Sequence, residues 1–251
     1  MAELATAKVV FVTGGASGIG RAAASAFAAE GAAHVVVADL DIAGAEATVA
    51  GLTGPGSSVE LDVTDDAAVA AAIDEIVADH GRLDIAFNNA GVNDVPRAFH
   101  DLDAESWDRM IRINLSSVFV CMKHELRHMA AAGSGAIVNT SSGAGVVAAP
   151  GLPHYTAAKH GVIGLTKAAA QEYARQGIRV NAVLPGSTDT SMLQSFIAGD
   201  DNMAKIIASS NIHGRLIEPG EIADAAVWLA SDHAAMVNGQ SLVVDGGGIV
   251  R

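Results

Sequence analysis

Short β-branched runs alternate with longer alanine-rich stretches along the whole chain, and no other feature constrains the fold as tightly. Val9–Thr13, Val35–Ala38, Val59–Leu61, Leu83–Phe87, Ala136–Thr140, Arg179–Val183 and Leu242–Val244 read as strands, being short, rich in Val and Ile, and bounded by turn residues. Ile19–Glu30, Ala43–Ala50, Ala67–His80, Ala104–Ala132, Tyr155–Gln176 and Glu221–Ser231 read as the helices between them. Gly31, Gly81, Gly133 and Gly177 each follow a helical run, as C-terminal caps do, and Pro219 suits a first helical position. This rhythm predicts an α/β fold: one doubly wound Rossmann-type domain over residues 1–251, with a parallel sheet, helices on both faces and right-handed crossovers.

Composition removes several classes of partner. The 15 basic and 28 acidic residues leave a net charge of −13, and no concentrated basic patch is present to hold a nucleic-acid backbone or an anionic membrane. No run of about 20 apolar residues suggests a membrane span. Met1-Ala2-Glu3-Leu4 carries no basic leader, and Val9–Val12 reads as a first strand rather than a signal peptide. Cys121 is the only cysteine, so no intrachain disulfide forms, which fits a reducing cytoplasm. One segment breaks the rhythm. Between Gly186 and Gly214 no strand is evident, and residues from about 187 to 213 are expected to form a lid.

The turn after the first strand reads Thr13-Gly14-Gly15-Ala16-Ser17-Gly18-Ile19-Gly20. A strand that enters a helix through such a turn leaves N–H groups facing outward, a seat for a pyrophosphate. Gly14 permits the turn, Gly18 close approach of the ligand, and Gly20 helix packing. Asp39, with Leu40 beside it, ends the second strand where a carboxylate accepts from adenosine ribose hydroxyls. Its charge opposes the extra phosphate of NADP, and no Lys or Arg stands at Ala16, Ser17 or Leu40, so NAD is the expected cofactor. Asp62 and Val63 are placed to meet adenine. Asn89, Ala90 and Gly91 suit a backbone passing close to a cofactor. Two plainer readings are a helix cap for Asp39 or Asp62 and a simple turn for the Asn–Gly run.

Tyr155 and Lys159 stand four residues apart, on one face of a helix, with Ser142 thirteen residues before the tyrosine. A nearby ammonium favours a phenolate, which lowers a phenol pKa that is otherwise too high for a base. Lys159 can also hold the nicotinamide ribose, and Ser142 can hydrogen-bond an oxygen that turns from alcohol to carbonyl. Asn114 lies mid-helix, where asparagine is disfavoured, and suits a water linking Lys159 to solvent. For the pocket walls, Met192, Leu193, Phe196, Ile197 and Ile207 are lid candidates, with Asn93, Val95, Ala144, Val146 and Leu152 opposite. His154, beside Tyr155, is expected either to touch substrate or to serve as an ordinary pocket-wall residue. A rival motif is His124-Glu125-Leu126-Arg127-His128, which fits the H-E-x-x-H zinc signature but offers no third ligand. No metal is expected.

Taken together, Thr13–Gly20, Asp62-Val63, Asn88–Gly91, Asn114, Ser142, Tyr155 to Lys159, Arg179–Val183 with Pro185-Gly186, and Asp245-Gly246-Gly247 make the chain resemble the short-chain dehydrogenase/reductase family over essentially its whole length. The resemblance implies a seven-stranded sheet of order 3-2-1-4-5-6-7 and an Asn114–Ser142–Tyr155–Lys159 tetrad. It implies cofactor contacts from Ser17, Ile19, Pro185 and Gly186, with Thr190 or the backbone near Thr188 on the carboxamide. It also implies a homotetramer, less often a dimer. The runs Ala86–Gly91, Cys121–Lys123 and Tyr155–Thr166 look most like members acting on cyclic or aryl secondary alcohols. The expected reaction interconverts a neutral secondary alcohol and its ketone. A 3-ketoacyl thioester reductase and a non-catalytic dinucleotide-binding regulator are the alternatives.

Overall fold

The structure, a computed structural model, describes residues 4–197 and 199–250, with the backbone alone at Phe196 and Asp201. The β-branched runs form β1 (Val9–Thr13), β2 (His34–Asp39), β3 (Gly56–Glu60), β4 (Ile85–Asn88), β5 (Gly135–Thr140), β6 (Ile178–Pro185) and β7 (Ser241–Val244). They pair in parallel in the order 3-2-1-4-5-6-7. β3 begins three residues before its valine because β2 supplies the ladder: Val35, Val36 and Val37 pair with Gly56, Ser57 and Ser58.

The helices are α1 (Gly18–Ala29), α2 (Ile42–Ala50), α3 (Asp66–His80), α4 (Ala104–Ile111), α5 (Ser117–Ala132), α6 (Pro153–Tyr173), α7 (Ser191–Ile197), α8 (Asp201–Ala208) and α9 (Pro219–Ala230). The expectation of one helix over 104–132 is corrected. α4 and α5 are joined by a π-type turn at Arg112–Ser116. Its widened backbone is held by Asn114, whose amide accepts from the Val92 N–H at 3.1 Å and donates to the Val92 carbonyl at 3.1 Å.

Alternation along the strands sends side chains to two cores. Val10, Val12, Val35 and Val37 pack with Phe27 of α1 and Ile222 of α9. Val9, Phe11, Val36 and Ala38 pack with Ile73 of α3 and Met122 of α5 on the other face. Both faces of the sheet are therefore covered, as the near-continuous apolar strands require. The carboxyl ends of β2, β1, β4, β5 and β6 bring Asp39, Thr13, Asn88, Thr140 and Pro185 to one edge. β1 separates β2 from β4, so the winding reverses there and a crevice opens above it. α7 and α8 occupy the segment read as a lid, and an isolated parallel bridge joins Thr188, before α7, to Ile217, after α8. Among the described residues no helix is long and apolar enough to cross a membrane.

Candidate active site

A cleft of about 960 Å³ lies over the strand ends. Its floor begins with the glycine turn. Gly14 has φ +67°, and a Cβ there would lie 2.8 Å from Ala90 Cα, so only glycine lets this turn sit against the end of β4. Thr13 and Asn89 clasp the two together. The Thr13 hydroxyl accepts from the N–H groups of Asn89 and Ala90, and the Asn89 amide donates to the carbonyls of Thr13 and Gly14. Ser17, the residue before α1, makes no side-chain cap, which leaves the helix N-terminus open to an anion.

Asp39 supports the same turn. One carboxylate oxygen accepts from Ala16 N–H at 2.9 Å and the other from Asp41 N–H at 3.0 Å. The plainer reading of Asp39 as a helix cap does not hold, because Asp41 caps α2. Asp65, not Asp62, caps α3, and Asp62 accepts from Thr64 N–H. Arg21 brings a cation to the turn by donating to the Ala16 carbonyl and to Thr48 Oγ1.

Gly14, Ser17, Gly18, Ile19, Asp39, Leu40, Asp62, Val63, Asn89, Ala90, Gly91, Pro185, Gly186, Thr188 and Thr190 all line the cleft. Gly20 does not. It backs the turn, where a Cβ would overlap the Gly14 carbonyl, so its contribution is packing rather than contact. These residues fit a dinucleotide: an uncapped helix N-terminus, a carboxylate at the end of β2 and a close-packed glycine turn share one crevice.

Ser142, Tyr155 and Lys159 converge in the same cleft. Ser142 follows β5 and accepts from Ala144 N–H at 3.1 Å, and its hydroxyl hydrogen-bonds the Tyr155 phenol. Lys159, 4% exposed, donates to the Thr140 carbonyl at 2.9 Å and lies 5.6 Å from the centre of the Tyr155 ring. Asn114 and Lys159 both face Gly91, where a Cβ would come 2.6 Å from Asn114 Oδ1 and 3.8 Å from Lys159 Nζ. The expected lowering of the Tyr155 pKa is corrected for this state. Burial raises it, against a lowering from the Ser142 hydrogen bond. Burial also brings Lys159 down to about 8, so it remains mostly charged at neutral pH.

The residues expected as walls divide between those that line the cleft and those that do not. Asn93, Ala144, Leu152, Met192 and Leu193 line the cleft. Val95 is 64% exposed and is not part of the lining. Val146 likewise lies on the surface, and neither Ile197 nor Ile207 reaches the cleft. The Phe196 side chain lies outside the described residues. Sequence reasoning missed Ile113, Thr140, Gly143, Val147, Ser210 and Ile249. Most carry small or aliphatic side chains with no signature, although Thr140 and Gly143 flank Ser142 closely enough to have been inferred.

The H-E-x-x-H stretch does not form a metal centre. His124 Nε2 pairs with Asp66 at 3.0 Å and His128 Nε2 with Asp74 at 2.6 Å, both on α3. Glu125 turns the other way into the core. It is fully buried, and its carboxylate accepts from Asn88 Nδ2 at 3.0 Å. No group of three or more His, Cys, Asp or Glu suited to a metal occurs among the described residues. Cys121 is buried. His154 is a clamp rather than a wall. It is fully buried, and its Nε2 meets Asp94 at 3.0 Å, tying α6 to the loop after β4.

Comparison with known proteins agrees with this geometry. The family model adh_short_C2, described as enoyl-(acyl carrier protein) reductase, matches residues 14–248. The chain is 46% identical over 250 residues to cis-4-hydroxycyclohexanecarboxylate dehydrogenase of Sinomonas cyclohexanicum, covering 98% of each. It is 40% identical to cyclohexanol dehydrogenase of an Acinetobacter species, covering 95% of this chain and 94% of that one. Its structure is similar to that of carveol dehydrogenase from Mycobacterium avium in complex with NAD, with a TM-score of 0.93 at 35% identity and 99% coverage of each chain. The chain belongs to the short-chain dehydrogenase/reductase family.

Proposed function

We propose that this protein is an NAD-dependent dehydrogenase that interconverts a cyclic secondary alcohol and its ketone. The observation that carries the reading is the meeting of Ser142, Tyr155 and Lys159 in the cleft that the glycine turn and Asp39 also line. Gly14, Ser17, Gly18 and Ile19 receive the pyrophosphate, Asp39 and Leu40 the adenosine ribose, and Asp62 and Val63 the adenine. Asn89, Ala90, Gly91, Pro185, Gly186, Thr188 and Thr190 surround the nicotinamide half. Bound nicotinamide supplies the hydride acceptor in oxidation and the hydride donor in reduction.

Tyr155 takes the hydroxyl proton in oxidation and returns it in reduction. The Ser142 hydroxyl holds the substrate oxygen as its charge changes. Lys159 stabilises the phenolate by its charge and binds the nicotinamide ribose, while Asn114 holds the Val92 backbone beside it. Apolar groups at Ala144, Val147, Leu152 and Met192 surround the carbon skeleton. α7 and α8 act as the lid. Ser191 of α7 already reaches Ser17 of the glycine turn, Oγ to Oγ, at 3.4 Å.

The protein works in the cytoplasm as a homotetramer. Exposed Trp107, Phe119 and Trp228 supply apolar surface for subunit contact, and light scattering tests the assembly by mass. The activity test is a panel of cyclic and open-chain secondary alcohols and ketones with NAD(H) and NADP(H), together with a 3-ketoacyl thioester. NAD-linked turnover of ring alcohols is expected. Turnover confined to the thioester with NADPH would overturn the reading, and stoichiometric NAD binding without turnover would favour a regulator.

A further inference from the structure

Ile249 stands near the C-terminus, far in sequence from every residue discussed as a wall, yet it lines the cleft beside Ser142, Gly143 and Ala144. Its Cγ2 lies 3.4 Å from the position a Cβ would take on Gly143, the residue that follows the catalytic serine. The segment carrying it is held firmly. Asp245 is buried, and its two carboxylate oxygens accept from Gly247 N–H and Ile249 N–H, each at 2.8 Å. Hydrogen bonds to an ionised carboxylate are among the stronger ones. The turn is fastened on its other side to the end of the lid segment, where Ile212 N–H donates to the Gly246 carbonyl at 3.0 Å. Ser210, in the same strip, also faces the cleft.

The turn therefore presents one branched apolar side chain to the cleft beside Gly143, clamped between β7 and the lid segment. The neighbouring wall residues Gly143 and Ala144 are small, and Met192 on α7 is 47% exposed and flexible in its side chain. Ile249 is the large, stiff group of this strip, because β-branching restricts its χ1. We infer that Ile249, held by the Asp245 latch, sets the ring size and ring substitution that the substrate pocket accepts. The inference rests on the reading of the cleft as a ring-alcohol site.

The test compares kcat/KM with NAD for cyclohexanol and 4-tert-butylcyclohexanol in the parent protein, Ile249→Ala, Ile249→Phe and Asp245→Ala. Binding of NAD is followed separately by fluorescence. Ile249→Ala should shift the ratio of the two substrates toward the bulkier ring by at least about tenfold, the usual worth of a few methylene groups in a pocket. Ile249→Phe should shift it the other way. Asp245→Ala should move in the same direction as Ile249→Ala, since it frees the turn without changing the wall residue. NAD affinity should be unchanged in both Ile249 variants. A parent that oxidises cyclohexanol while both Ile249 variants keep its substrate ratio would overturn the inference and leave the function standing. A parent that oxidises no ring alcohol would overturn the function and the inference with it.

Discussion

Glu125 offers a quantitative test of how this core is built. It sits on α5 with its side chain fully buried, and only one of its two oxygens has a hydrogen-bond partner, Asn88 Nδ2 at 3.0 Å. Asn88 Oδ1 is also buried without a donor. A proton on Glu125 lets acid and amide pair through two hydrogen bonds, which is the arrangement a buried carboxyl favours. Burial raises its pKa from 4.5 to about 8, against a lowering from Asn88. At about 1.4 kcal/mol for each pKa unit, that rise corresponds to about 5 kcal/mol. The folded pKa lies above the unfolded one, so this site's contribution is fully present below pH 4.5 and is lost as pH rises through 8. By pH 7 about 3 kcal/mol is already gone, because the unfolded chain ionises freely and the folded chain does not.

Glu125→Gln keeps the shape, accepts from Asn88 and donates to it, but cannot ionise. Urea unfolding of parent and variant between pH 5 and pH 9 is the assay. The variant's advantage should grow from under about 1 kcal/mol at pH 5 to about 3 kcal/mol at pH 7 and about 5 kcal/mol near pH 9. A difference that stays flat across that range would show that Glu125 is already ionised in the folded protein, and the reasoning from burial would fail.

Tyr155→Phe should reduce turnover by at least about 100-fold, the usual worth of a general acid or base, while NAD binding measured by fluorescence persists. Parent oxidation should accelerate as pH rises into the alkaline range, because burial has raised the Tyr155 pKa and the phenol must ionise to act as a base; ketone reduction should slow over the same range. A pH-independent oxidation rate would count against this role. Asp39→Ala should weaken NAD and narrow its advantage over NADP, since it removes the charge facing the ribose and the support of Ala16 N–H, and kcat/KM for both cofactors reads the change. His128→Ala should leave activity intact and chelators should have no effect, because His128 is paired with Asp74 on the surface of α3. Activity lost with bound zinc would revive the metal reading.

Much of the cofactor side was legible because glycine and aspartate carry positional meaning. Gly14 and Asp39 each answer a local demand: a positive φ, and an acceptor at a strand end. The pair Tyr155 and Lys159 was legible for a similar reason, since four residues on a helix bring side chains to one face. Helix ends were marked too, and Gly81, Gly133 and Gly177 occupy the capping positions expected of them. The break in the 104–132 helix was not legible. It depends on Val92, a partner 22 residues away, gripping Asn114. Val95 was misplaced because an apolar side chain in a loop says nothing of which way the loop turns.

The order of residues along this chain determined most of its strands and helices, its glycine turn and the chemical groups available for proton transfer, because each depends on backbone preference or on spacing within one element. Tertiary structure alone decided the rest. It gave Lys159 its pKa near 8 and raised that of Tyr155, because desolvation is set by everything packed around a side chain. It turned Glu125 inward while its neighbours His124 and His128 paired with α3. It also carried Ile249 to the side of Ser142, across more than a hundred residues that only folding could bring together.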